Sequence, residues 1–287
     1  MQTYRIVTDS CCDLPKDILA KLDIETVNLS LLFRGEELTD PTDEQIKTMY
    51  DALRAGESAS TSAVNPEGWK SAIEPIVAGG KDVLVMAFSS GLSTTYQSAV
   101  IAADELMEQY PQRTIRVIDT LSASLGQGMY VWYACKKRDE GLTLDELYNW
   151  CEDNKLNMAH WFTVDDLMFL KRGGRVSAAT ALVGTMLNIK PILHVDDNGK
   201  LINVGKCRGR KNALDNLVKK LAEDGLPGEN DTIFLSHGDC LEDAQYVAQQ
   251  CKERCGVKEV IIGYVGAVIG SHSGPGTVAL FYLGNKR

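Results

Sequence analysis

The sequence predicts an α/β protein in two parts: a parallel-sheet α/β domain over residues 1–157 and an α+β domain with a mixed, partly antiparallel sheet over residues 158–287. Two observations carry this. Up to residue 154, short apolar runs alternate with helical patterns, the grammar of a parallel sheet covered on both faces. Beyond it, Asn198-Gly199 sits between two strand-like runs, and both residues tolerate the positive φ of a tight hairpin. A chain of 287 residues is long enough for two domains of ordinary size.

Taken in order, Tyr4 to Thr8 reads as a strand ending in Asp9-Ser10. Pro15 opens a helix over PKDILAKL, with Asp13 as its expected N-cap. Residues 24–33 read as extended, and Asp43 to Arg54 has helical spacing. Asn65-Pro66 places a capping residue and an N1 proline at the head of a helix running to Ala78. The run DVLVMAF, residues 82–88, is a buried strand, and Ser89 to Ser93 is a polar turn before a helix from Thr94 to Tyr110. Thr114 to Ile118 is a strand, and Ser122 to Glu140 and Asp145 to Asn154 are helices. In the second part, Ala159 to Thr163 is a strand, Lys171 to Arg175 (KRGGR) a basic turn, and an apolar helix ends near Leu187. Pro191 to Val195 and Leu201 to Val204 form the hairpin. Lys211 to Glu223 and Leu241 to Arg254 are helices, and Asp231 to Leu235, Glu259 to Val268 and Val278 to Leu283 are strands.

The net charge of −9 argues against a nucleic-acid partner, because a general binder needs a basic surface to displace counterions. No stretch approaches the roughly 20 apolar residues of an integral membrane span. The start, MQTYRIVTDS, reads as a strand and not as a secretory signal, so a cytoplasmic location is expected. The eight cysteines are scattered and lack metal-ligand spacing, which predicts reduced structural thiols and no metal site. No G-x-G-x-x-G follows a strand, and Gly274-Pro275-Gly276 lacks the Lys-Ser/Thr of a P-loop, so no cofactor is expected.

Ligands of parallel sheets bind beyond the carboxyl ends of the strands. Those ends here carry Asp9 and Ser10, then Ser89, Ser90 and Ser93, then Asp119, Thr120 and Ser122, with Ser60, Thr61 and Ser62 nearby in sequence before the helix at Pro66. Such a rim of hydroxyls suits an anionic oxygen ligand and supplies no redox chemistry. Ser93 falls at the expected N-cap of a long helix, where an anion meets free N–H groups and the positive end of the helix dipole. Gly91-Leu92-Ser93-Thr94-Thr95 also approximates a nucleophile elbow, without its second glycine. A serine hydrolase using Ser93 and His272, the best placed of four histidines, is therefore the alternative. His272 itself reads as lying in a glycine-rich loop between two strands. The run from Ala178 to Leu193 is apolar with several small residues, suited to a core or to the wall of an acyl-chain pocket. Lys171, Arg172, Arg175, Lys206, Arg208, Arg210 and Lys211 form two basic clusters that would dock an acidic partner surface if they converge.

Six segments, in this order, resemble the DegV family: TDSCCDLP (8–15), STS (60–62), SSGLSTTYQSA (89–99), DDLMFLKRGGR (165–175), LNIKPIL (187–193) and HSGPG (272–276). The resemblance spans nearly the whole chain. It implies a bacterial protein of phospholipid metabolism that binds a long-chain fatty acid in an apolar tunnel between its two domains. It further implies a carrier, not itself an enzyme, which presents the carboxylate to the ATP-binding subunit of fatty acid kinase for phosphorylation. By position in the motifs, Thr61 and Ser93 would hold the carboxylate, with Ser62 beside them and His272 close to the head group. Arg175, of the GGR turn, would act at the head group or in kinase docking, and Arg208 in kinase docking. The family pattern has Gly after the motif serine where this chain has Thr94, which adds a β-branched side chain beside the head group.

Overall fold

The computed structural model describes residues 4–177, 188–285 and 287. The first part of the chain runs β1 (Tyr4–Asp9), α1 (Lys16–Leu22), β2 (Glu25–Val27), β3 (Ser30–Phe33), β4 (Glu36–Leu38), α2 (Asp43–Arg54), β5 (Ser60–Ser62), α3 (Pro66–Ala78), β6 (Asp82–Ala87), α4 (Thr95–Gln109), β7 (Ile115–Asp119), α5 (Leu125–Asp139) and α6 (Leu144–Asn154). The second runs β8 (Met158–Thr163), α7 (Met168–Arg172), β9 (Ile189–Val195), β10 (Leu201–Arg208), α8 (Arg210–Asp224), β11 (Thr232–His237), α9 (Leu241–Cys255), β12 (Glu259–Tyr264), α10 (Ala267–Ser273) and β13 (Val278–Leu283). The expected helix ending near Leu187, and with it most of the run Ala178 to Leu193, lies outside the described residues.

The fold is α/β, as expected. Strands β2-β1-β6-β7 form a four-stranded sheet, parallel throughout. Alternation along β6 shows why it is covered on both faces. Val83, Val85 and Ala87 pack with α3 and α4 through Trp69, Ile73, Ala99 and Leu106, while Leu84 and Met86 pack with α5 through Met129 and Tyr130. The second sheet has the order β10-β9-β8-β13-β11-β12, antiparallel except for β11 with β12. The core under α5 also takes Phe162, Phe234 and Phe281 from this second sheet, so α5 is packed between the two. A small antiparallel sheet, β4-β3-β5, sits apart from both.

Several boundaries differ from the sequence reading for local reasons. Asp13 does not cap α1: Pro15 occupies that position, and Asp13 adopts a left-handed conformation with its carboxylate turned toward Ser124. Helix α4 begins at Thr95 and α5 at Leu125, each later than expected. The largest difference lies at residues 265–273, where β12 stops at Tyr264 and His272 belongs to the last turn of α10, not to a loop. A short apolar run such as VGAVIG does not distinguish strand from helix by its periodicity. Tertiary contact decides it: the Tyr50 hydroxyl donates to the Val265 carbonyl at 2.7 Å and its ring closes over Gly270, where no Cβ intervenes.

Asp9 ties the carboxyl ends of β1 and β6 together. Its buried carboxylate accepts the Cys11 N–H at 3.0 Å and the Phe88 N–H at 2.6 Å. Burial outweighs these bonds and raises its pKa to about 6. Because the folded value is above the unfolded one, the associated stability is fully present below the unfolded pKa of 3.8 and is lost as pH rises through about 6. Denaturant titrations should therefore show the stability difference between wild type and Asp9→Asn moving in favour of Asn by on the order of 2–3 kcal/mol between pH 4 and pH 7. A pH-independent difference would refute this account of Asp9.

Candidate functional site

A cavity of about 520 Å³ lies against one face of the six-stranded sheet. Along β13 alternate residues point the same way, and Ala279 and Phe281, with Thr277 just before the strand, all line it. Their neighbours in register continue the wall: Phe162 and Ser236 stand opposite Ala279, and His160 opposite Phe281. The other side comes from the loop after β6 (Phe88, Leu92, Ser93), from Thr61 of β5 and Ala63 just after it, and from Val268, Ile269 and His272 of α10. At about 3.4 Å per residue, Thr277 to Phe281 extends the wall over about 14 Å. The volume falls in the ordinary range for small-molecule sites.

One end is polar. Thr61 Oγ1 and His272 Nε2 are 2.8 Å apart, joining β5 to α10. Burial, with the Arg175 charge adding to it, lowers the His272 pKa to about 4, so the ring is neutral at pH 7. If Nε2 carries the proton and donates to Thr61, the threonine proton is free to point into the cavity. Gly173 packs directly on this ring: a Cβ there would run into His272 Nδ1. Arg175 is half-buried and donates to the Gly173 carbonyl, and no carboxylate among the described residues forms an ion pair with it. Thr61, Arg175 and His272 also line a second, outer cleft of about 330 Å³ with Ser60, Arg172 and Ser271. These three side chains thus form the partition between a largely apolar cavity and a cleft of mixed lining that also takes in Glu57 and Phe169.

Ser93 lines the same cavity. It stands two residues before α4, and its Oγ accepts the Thr95 N–H at 3.2 Å and lies 2.8 Å from Thr95 Oγ1, so it is not the N-cap residue expected of it. Thr94 takes that place and also borders the cavity. Ser62 does not join the site. Strand alternation turns it away from the side of Thr61 and Ala63, where it is exposed and pairs with Ser30. Arg208 is exposed at the end of β10 and lines neither space, so the two basic clusters do not converge on the cavity. Arg210, from the second cluster, is engaged by Asp243 and Asp165. The hydrolase alternative lacks its central contact: the His272 ring bonds Thr61, and among the described residues no hydrogen bond joins it to Ser93.

Sequence reasoning missed Ser273, which is 4% exposed, lines the cavity and has a hydroxyl with no partner among the described residues. Its only signal was a hydroxyl next to His272 in HSGPG. It also missed Ser124 and Ser236 in the cavity wall, because a run of sequence does not reveal which strand residues meet across a sheet.

The site can be set beside known proteins. The model of the family described as "Uncharacterised protein, DegV family" matches residues 3–285. A DegV domain-containing protein of Clostridium perfringens is 44% identical over 100% of this chain and 99% of its own length. Among solved structures, a DegV family protein from Thermus thermophilus, described for its fatty acid binding, superposes with a TM-score of 0.87 at 32% identity, covering 98% of this chain and 99% of that one. A DegV family protein from Eubacterium eligens, loaded with heptadecanoic acid, superposes with a TM-score of 0.86 at 25% identity, covering 98% and 100%.

Proposed function

The chain belongs to the DegV family, and from that premise we propose that it binds a long-chain fatty acid, with the carboxylate at Thr61, Ser93, His272 and Arg175 and the tail along β13. The observation that carries the reading is the partition: a neutral histidine–threonine pair and an arginine without a carboxylate partner among the described residues stand at one end of an otherwise largely apolar cavity. Burying about 16 methylenes at about 0.8 kcal/mol each contributes a gross ~13 kcal/mol before ordering costs. A carboxylate carried in with them is costly unless it finds donors, and the hydroxyls of Thr61, Ser93 and Ser273 together with Arg175 supply them.

The protein acts as a carrier, not as an enzyme, and needs no cofactor. The carboxylate sits where a cytoplasmic partner, the ATP-binding subunit of a fatty acid kinase, reaches it through the outer cleft. There a carboxylate oxygen attacks the γ-phosphorus of ATP, ADP leaves, and the product is an acyl phosphate. Arg208, and Arg175 where it faces the outer cleft, would guide that partner electrostatically.

Native mass spectrometry of gently purified protein should show an added mass equal to a long-chain fatty acid. Delipidated protein that takes up no such acid would overturn the reading. With a purified kinase subunit and ATP, hydroxylamine should trap an acyl hydroxamate; lipid uptake without the trapped product would overturn the kinase half alone. Gly173→Ala, which drives a methyl into the His272 ring, should weaken fatty acid binding about three- to tenfold, measured by displacement of a fluorescent fatty acid.

A further inference from the structure

We propose that Ser236, Ser124 and Asp13 form a second polar station in the cavity wall, which selects acyl chains bearing a hydroxyl partway along their length. This rests on the fatty acid reading above. Ser124 Oγ lies 2.5 Å from Asp13 Oδ2 and 3.0 Å from Ser236 Oγ. Both serines line the cavity, whereas Asp13 lines a different cleft behind them. Ser236 stands opposite Ala279, two residues along the wall from Thr277 and hence about 7 Å from the level of that residue.

The backbone at Ser124 marks the relay as more than incidental. Its φ of 54° and ψ of −148° fall in a region that glycine alone adopts readily, yet the residue is serine, with its hydroxyl held between an acid and a second serine. Fastening the start of α5 to the loop after β1 accounts for the bond from Ser124 to Asp13. It does not account for Ser236, a fully buried residue of the cavity wall whose hydroxyl is bonded only to Ser124 among the described residues.

A proton inventory defines the ligand. Each serine has one hydroxyl proton. With Asp13 ionised, Ser236 donates to Ser124, Ser124 donates to Asp13, and the Ser236 oxygen offers lone pairs to the cavity. With Asp13 protonated, a state that burial favours by raising its pKa to about 7, the chain reverses and Ser236 offers its proton instead. A methylene satisfies neither arrangement. An alcohol donates or accepts, so it satisfies both, whereas a ketone only accepts.

The test titrates delipidated protein with octadecanoate and with its positional monohydroxy isomers. Isomers that place the hydroxyl at Ser236 should bind about tenfold more tightly than isomers that bury it elsewhere unpaired. In Ser236→Ala this spread should collapse, with octadecanoate titrated alongside as the unsubstituted reference and a cooperative thermal unfolding transition reporting that the variant is folded. Ser236→Cys, nearly isosteric and a poor acceptor, serves the same comparison if the alanine variant does not fold. Octadecanoate binding with no positional preference, or a preference that survives both substitutions, overturns the station alone. Absence of octadecanoate binding by the wild type overturns the fatty acid reading and the station with it.

Discussion

Ala279→Trp is expected to abolish long-chain fatty acid binding without unfolding the protein. Ala279 is the second residue of β13, is flanked in register by Phe162 and Ser236, and lines the cavity. An indole at that point occupies the space along which the tail would lie. Excluding only four methylenes at about 0.8 kcal/mol each costs ~3 kcal/mol, or more than about a hundredfold in affinity. The second half of the expectation discriminates between cavity and core. Overpacking a filled core costs about 1–3 kcal/mol, whereas a tryptophan entering an empty apolar space gains burial. Thermal unfolding of the ligand-free variant should therefore occur at or above the wild-type midpoint, alongside a flat binding isotherm. A variant that binds octadecanoate normally would put the chain elsewhere; one that melts early would mean the space is not open.

Much of this arrangement was legible in the sequence, and the parts that were not share a cause. The strand–helix alternation before residue 154 and the Asn198-Gly199 hairpin are local signals, and each sheet they predicted is present. The capping boxes at Thr42 and Thr143 show the same local determination, with side chain and backbone satisfying each other three residues apart. Thr61, Ser93, His272 and Arg175 fall around one cavity although they lie far apart in the chain. Ser62 illustrates the limit. Thr61 and Ser62 are chemically alike and adjacent, and only the pairing of β5 with β3 determines which of them faces inward. The helix at 267–273 was missed because its apolar face is defined by Met49 and Tyr50 of α2, some 220 residues earlier in the chain. Asp13 was misread for the complementary reason: a residue well suited to cap a local helix instead bonds Ser124, at a sequence separation of 111.

Arg175→Met should weaken binding of the free acid and stabilise the empty protein at the same time. The guanidinium is half-buried, lacks a carboxylate partner among the described residues, and has its pKa lowered by burial, so holding it charged is unfavourable in the ligand-free state. Methionine keeps much of the stem's packing and removes that cost. A hydrogen bond to a charged group contributes about 1.5–3 kcal/mol, which converts to a loss of about ten- to a hundredfold in affinity for octadecanoate. Octadecan-1-ol, which has the same tail and no charge, should be affected much less. The opposing shifts separate a ligand-binding arginine from one that only docks a partner: in the docking case acid binding is unchanged and only phosphorylation by the kinase falls. They also separate it from a structural arginine, whose removal lowers the melting temperature and weakens acid and alcohol alike. An arginine kept at a cost to the empty fold is one whose benefit appears only when an anion arrives.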